Sequence, residues 1–144
     1  MEKPAVSLAD VTFSYRGAGV PSLSSLSLDV AAGECVLLCG KSGCGKSTVL
    51  RLLNGMIPEF YDGEASGRVE VAGMDPASCP QYEIARSVGT VFQNPRTQFY
   101  TLNTTSEVAF GCENQGLERA EIVRRVGNAA EELGIESLMN RSIF

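Results

Sequence analysis

The chain contains no histidine among its 144 residues. No mechanism that needs an imidazole can therefore be completed by these residues alone. Apolar runs are short, and none approaches the roughly 18 residues that a membrane-spanning helix requires. The start, Met1-Glu2-Lys3-Pro4, has no apolar segment behind a basic head and does not read as a secretory signal. Basic residues are outnumbered, 12 Lys and Arg against 17 Asp and Glu, for a net charge of −5. A nucleic-acid module needs a basic face to release phosphate counterions, and this balance does not suggest one. The five cysteines (Cys35, Cys39, Cys44, Cys79, Cys112) are odd in number and lack C-x-x-C spacing. That pattern argues against a disulfide framework or a zinc site and points to a reducing compartment.

What is present suits one ordinary globular domain, with 44% hydrophobic and 20% charged residues. Disorder is excluded for most of the length. Val6, Leu8, Val11, Phe13 and Tyr15 fall mostly at period two, with one slip at Ala9-Asp10, and predict a half-buried strand. Leu26, Leu28 and Val30 alternate with polar residues and predict a second. Residues 35–39 are continuously apolar, the pattern of a strand buried on both faces. Helical spacing at Val49, Leu50, Leu52 and Leu53 predicts a helix over 46–56. A polar loop is expected over 58–67, short strands over 68–72 and 88–92, and irregular chain over 76–82. Thr104 and Glu107 fit a capping box, so a helix is expected over 105–113. Ile122, Val126, Ala129 or Ala130, and Leu133 predict an amphipathic helix over 118–133, with Gly134 after its end.

The most specific stretch is Gly40-Lys41-Ser42-Gly43-Cys44-Gly45-Lys46-Ser47, which matches the phosphate-loop pattern G-x-x-x-x-G-K-[ST]. An expected strand precedes it and an expected helix follows, the context the motif requires. Backbone amides must converge on phosphate oxygens there, so glycine is needed where a side chain would block. The helix start adds its positive dipole end. Lys46 is placed to reach the β- and γ-phosphates and the Ser47 hydroxyl to ligate magnesium. Cys44 occupies a free position of the motif and reads as a tolerated small residue. The loop, taken as 40–48 to include Thr48, marks a nucleotide-binding chain.

Three further features narrow the family. An aromatic, Tyr15, ends the first strand upstream of the loop. Gln93 follows an apolar pair, and Gln93-Asn94-Pro95 leads to Gln98. The stretch Glu107-Val108-Ala109-Phe110-Gly111 comes soon after. Together these resemble the N-terminal half of an ABC-type ATPase, and more narrowly the ATPase subunits of energy-coupling factor (ECF) transporters, which import vitamins and transition-metal ions. The resemblance runs from Val6 to Phe144. It implies a P-loop α/β core with an antiparallel β portion, and that residues 1–144 form the N-terminal part of one nucleotide-binding domain. It further implies that Tyr15 stacks on adenine, at a gain of roughly 1–3 kcal/mol by analogy with other base stacking. Gln93, in the glutamine loop 93–98, would ligate magnesium through an oxygen donor suited to a hard cation. Phe99, Tyr100, Leu102 and Phe110 would meet a membrane-embedded coupling subunit.

The family's hydrolytic parts are missing from these residues. No Asp-Glu pair, no Leu-Ser-Gly-Gly signature and no switch histidine occurs. The resemblance therefore implies the N-terminal part of a longer ATPase, cut before its signature helix, that binds ATP and Mg2+ without hydrolysing ATP and has no catalytic residue of its own. As the full-length protein it would pair with a second ATPase subunit, identical or not, at the cytoplasmic face of the membrane. A stand-alone nucleotide-binding module and a small P-loop kinase are the alternatives. The kinase is disfavoured because 58–67 lacks the arginines of an acceptor lid. A GTPase is disfavoured because no Asn-Lys-x-Asp motif occurs.

Overall fold

A computed structural model describes residues 3–144. They divide into two compact units, one ending at Thr90 and the other spanning Val91–Phe144.

In the first unit β1 (Val6–Tyr15) is the middle strand of an antiparallel sheet, with β2 (Leu23–Val30) on one side and β3 (Gly63–Val71) on the other. Val6 pairs with Val30 and Val71, and Leu8 with Leu28 and Val69. The slip at Ala9-Asp10 is real. Both registers shift there, Asp10 takes φ +50°, and Leu8, Val11 and Phe13 all end up buried although the first two are three residues apart. A bulge of this kind frees ladder amides that need other acceptors. Hydroxyls supply them: the Asp10 amide donates to Ser27 Oγ (3.0 Å) and the Ser25 amide to Thr12 Oγ1 (2.9 Å). β3 starts five residues earlier than its own sequence suggests. Small and polar residues from Gly63 to Gly67 are weak strand formers, and their pairing with β1 decides the outcome.

Two expected strands do not form. Residues 35–39 form no strand among the described residues, and Val36 and Leu37 are 40% and 83% exposed. Cys35 and Cys39, expected to be buried, are exposed. A parallel-type strand is defined by neighbours on both edges, and the three-stranded sheet contains none for it. Residues 88–92 likewise form no strand, with Val91 85% exposed.

The helix after the phosphate loop, α1 (Lys46–Leu53), buries Thr48, Val49 and Leu52. Val49 and Leu52 join Leu8, Val11, Phe13, Leu23 and Ile57 in one core, while Leu50, expected on the same stripe, faces outward. The helix stops short of Met56. Asn54, buried, turns its Oδ1 to the Met56 amide (3.2 Å), and Gly55 follows with φ +74°. A four-residue turn, α2 (Met56–Glu59), comes next. Part of the stretch expected to be irregular is the start of α3 (Gln81–Ser87), held by Gln81 Nε2 on the Asn54 carbonyl (2.8 Å) and by buried Ile84.

The second unit packs α4 (Thr104–Asn114) on α5 (Arg119–Leu133), with Ala109, Val126 and Ala130 buried. Gly134, φ +63°, ends α5 as expected. The cap of α4 differs from the expected box. Asn103 is the N-cap, its Oδ1 accepting from the Ser106 amide at 2.9 Å. Glu107 instead accepts from the Tyr100 and Thr101 amides (3.1 and 2.8 Å) and the Thr101 hydroxyl (2.9 Å), pinning the preceding loop. Among the described residues no helix is long and apolar enough to cross a membrane.

Candidate functional site

The phosphate loop joins the exposed stretch 35–39 to α1, and its geometry follows from Gly45. That residue caps α1 with φ +93°, a left-handed conformation costly for any residue with a Cβ. A Cβ there would also fall 2.6 Å from the Ser22 carbonyl oxygen and 2.7 Å from Leu23 Cδ2. The loop thus seats directly on the start of β2, as only glycine permits.

The first i to i−4 bond of α1 runs from the Val49 amide to the Gly45 carbonyl (3.0 Å). The amides of Lys46, Ser47 and Thr48 precede it and project from the helix end, where the dipole favours an anion. No acidic side chain occupies the first turn. From Cys35 to Pro58 the chain carries Lys41, Lys46 and Arg51 and no carboxylate, although its net charge is −5. Lys46 Nζ donates to the Gly40 and Lys41 carbonyls (2.9 and 2.8 Å) and lies 3.4 Å from Cys44 Sγ, so its ammonium sits over the loop. Ser47 is exposed and its hydroxyl has no partner among the described residues. Helix-end amides, a lysine ammonium and a free hydroxyl on the same loop suit an anionic, magnesium-bound polyphosphate. Lys41, Ser42 and Gly43 are exposed along the same loop.

Tyr15 ends β1 beside α1. Its hydroxyl shares a 3.1 Å hydrogen bond with Thr48 Oγ1 and accepts one from Arg51 Nη1 at 2.8 Å. Its ring meets Phe13 and Tyr61 edge-to-face, with centroids 4.8 and 6.4 Å apart. A cavity of about 260 Å³ opens next to it, lined by Ser14, Arg16, Asp62 and Glu64 among others. Thr48, expected to help hold the ligand, is buried and turns its side chain to Tyr15.

These features lie on an α/β scaffold with an antiparallel sheet. A family model described as ABC transporter matches residues 23–143. The chain belongs to the ABC transporter family. A Treponema denticola protein named for ABC transporter ATP binding is 47% identical over 139 residues, covering 96% of this chain and 28% of its own length. A similarly named Methanosarcina acetivorans protein is 43% identical over 141 residues, covering 98% of this chain and 23% of its own. The chain thus spans about a quarter of these relatives. Among solved structures, CbiO1 from Clostridium perfringens, part of the ABC transporter complex CbiONQ, aligns with a TM-score of 0.82 at 28% identity, covering 98% of this chain and 55% of that one. A bacterial Atm1-family ABC exporter with ATP bound aligns at 0.69 and 30% identity, covering 99% and 24%. The fold is that of an ABC ATPase.

The first unit therefore brings together Tyr15 and every phosphate-loop residue named from the sequence, Gly40 through Thr48. Gln93 belongs to the second unit, where it is exposed. The turn after it is self-supporting: Asn94 Oδ1 accepts from the Arg96 amide (3.2 Å), and Gln98 Oε1 accepts from the Phe92 amide (2.9 Å). Sequence reasoning missed Arg51 and Tyr61, whose relation to Tyr15 spans three separate elements. Arg51 stands three residues after Thr48, one helical turn on, which is the only signal the sequence carried.

Proposed function

We propose that the chain is the ATP-binding part of an ATPase subunit in an importer of the energy-coupling factor type. The observation that carries this reading is the acid-free helix end of α1, with Gly45 seated on β2, the Lys46 ammonium over the loop and the Ser47 hydroxyl free. The likeness to CbiO1 favours an importer. In this reading the loop amides and Lys46 bind the phosphates, Tyr15 stacks on adenine, and the Ser47 hydroxyl would hold Mg2+, while Gln93 keeps its reading as a magnesium ligand within the second unit. Mg2+, if bound at Ser47, would supply positive charge to offset that of the phosphates. Residues 1–144 act as the N-terminal part of one nucleotide-binding domain that binds ATP without turning it over. A second ATPase subunit completes the sandwich.

The second unit offers the face for a membrane-embedded coupling subunit. Tyr100 and Leu102 are each 76% exposed, and the Tyr100 and Phe110 rings stack 5.2 Å apart. An apolar face of this kind suits a partner helix, and such docking would hold the protein at the cytoplasmic surface of the membrane.

Calorimetric titration of the chain with MgATP tests the binding site. Lys46→Ala should weaken binding about 10- to 100-fold, the worth of hydrogen bonds to a charged donor. Ser47→Ala should remove most of the magnesium dependence. Unchanged affinity in Lys46→Ala would refute the site. Steady turnover by the chain, abolished by Lys46→Ala, would refute the non-hydrolysing role.

A further inference from the structure

We propose that Arg51 and Tyr61 are positioning residues that lock the Tyr15 ring as the base platform and tie it to the phosphate-loop helix. The inference rests on the reading of Tyr15 as the adenine contact. A tyrosine at a strand end can rotate about two side-chain torsions, and a base stacks well on only one orientation. The Tyr15 hydroxyl is held from a single helix at two points one turn apart, Thr48 and Arg51. With Arg51 donating, the phenol proton is available to Thr48 Oγ1. The Arg51 guanidinium in turn lies 4.0 Å over the centroid of the Tyr61 ring. Tyr61 also meets Tyr15 edge-on, which closes the triangle.

The chemistry of Arg51 fits this role better than a structural ion pair. No carboxylate pairs with it among the described residues, so its charge is spent on a phenol oxygen and a π face. Thr48 directly follows Ser47, so the helix that aims its amides at the phosphates also fixes the ring for the base. Orienting the ring beforehand spares nucleotide binding the cost of ordering it.

The test compares Mg2+ complexes of ATP and inorganic tripolyphosphate, titrated into the full chain. Tripolyphosphate engages the phosphate loop and has no base. Arg51→Met keeps the apolar stem and removes the donors, Arg51→Lys keeps the charge without the planar fork, and Tyr15→Phe removes the hydroxyl. Each should weaken ATP about 3- to 10-fold, the worth of one such hydrogen bond, and leave tripolyphosphate affinity unchanged. Combining Arg51→Met with Tyr15→Phe should cost less than the sum, because both break one interaction. Thermal melts of every variant accompany the titrations, and Arg51→Lys carries the test if Arg51→Met does not fold.

Equal losses for both probes would overturn the proposal in favour of a general charge or folding effect. Unchanged ATP affinity in both Arg51 variants, with Tyr15→Ala still lowering the preference for ATP over tripolyphosphate, would also overturn it while the platform reading stands. If Tyr15→Ala leaves that preference unchanged, the platform reading fails and this inference falls with it.

Discussion

Gly43 and Gly45 offer a controlled comparison within one loop. Both have positive φ, +80° and +93°, but a Cβ at Gly43 would meet nothing within 4 Å, whereas one at Gly45 would strike the Ser22 carbonyl oxygen at 2.6 Å and Leu23 Cδ2 at 2.7 Å. Alanine at Gly43 carries only the left-handed penalty, about 1–2 kcal/mol, offset by a smaller unfolded-state entropy worth about 0.4–1 kcal/mol. The net loss should be about 1 kcal/mol or less. Alanine at Gly45 adds overpacking against backbone and core, about 1–3 kcal/mol more. A chain of this size loses about 2–4 °C of melting temperature per kcal/mol. Gly43→Ala should therefore melt at most about 4 °C below the parent and Gly45→Ala about 2–16 °C below, with Gly45→Ala the lower of the two, followed by circular dichroism. Equal shifts in the two variants would refute the claim that the loop is seated on β2.

Two further outcomes follow from the second unit. Asn103→Ala should lower stability by about 0.5–2 kcal/mol and speed hydrogen exchange at the first turn of α4, while Asn103→Asp should cost less; an unchanged exchange rate would refute the cap assignment. Glu121 accepts from Arg124 and Arg125 at 2.6–2.8 Å, and these bonds hold its carboxyl at about 2 against an ordinary 4.5. A carboxyl depressed on folding stabilises above its unfolded pKa and loses that contribution as pH falls toward the folded value. The advantage in α5 helicity of the parent over Glu121→Gln should thus be full at neutral pH, shrink as pH falls below about 4.5, and disappear only below the folded value of about 2. A difference unchanged between neutral pH and pH 2 would refute it.

The elements legible in the sequence were those whose pattern is written within the element itself. β1 announced its bulge through a broken alternation, and α5 announced its length and its end through spacing and Gly134. Residues 35–39 misled because an apolar run records a preference for burial, while a strand exists only with neighbours to bond. β3 failed in the opposite direction, since Gly63 to Gly67 have little strand character and take it from β1. At α4 the expected box of Thr104 and Glu107 does not form, because hydrogen bonding from the loop before it draws Glu107 away and Asn103 caps the helix. The place of the phosphate loop before α1 was readable because the motif is local, although Thr48 turns inward to Tyr15. Arg51 and Tyr61 were not, because what matters about them is a meeting of β1, α1 and the segment before β3.

The limb that leads into the phosphate loop has a thermodynamic consequence. Residues 35–39 make no backbone hydrogen bond among the described residues, whereas the α1 limb is anchored in the core. Only Leu38 of that limb packs on the core, so a ligand that bridges both limbs would have to fix the rest of it, and each backbone residue so fixed costs about 1–2 kcal/mol of entropy. On the proposed function, nucleotide affinity would carry that cost, and a strand pairing with 35–39 would lower it without adding a contact to the ligand.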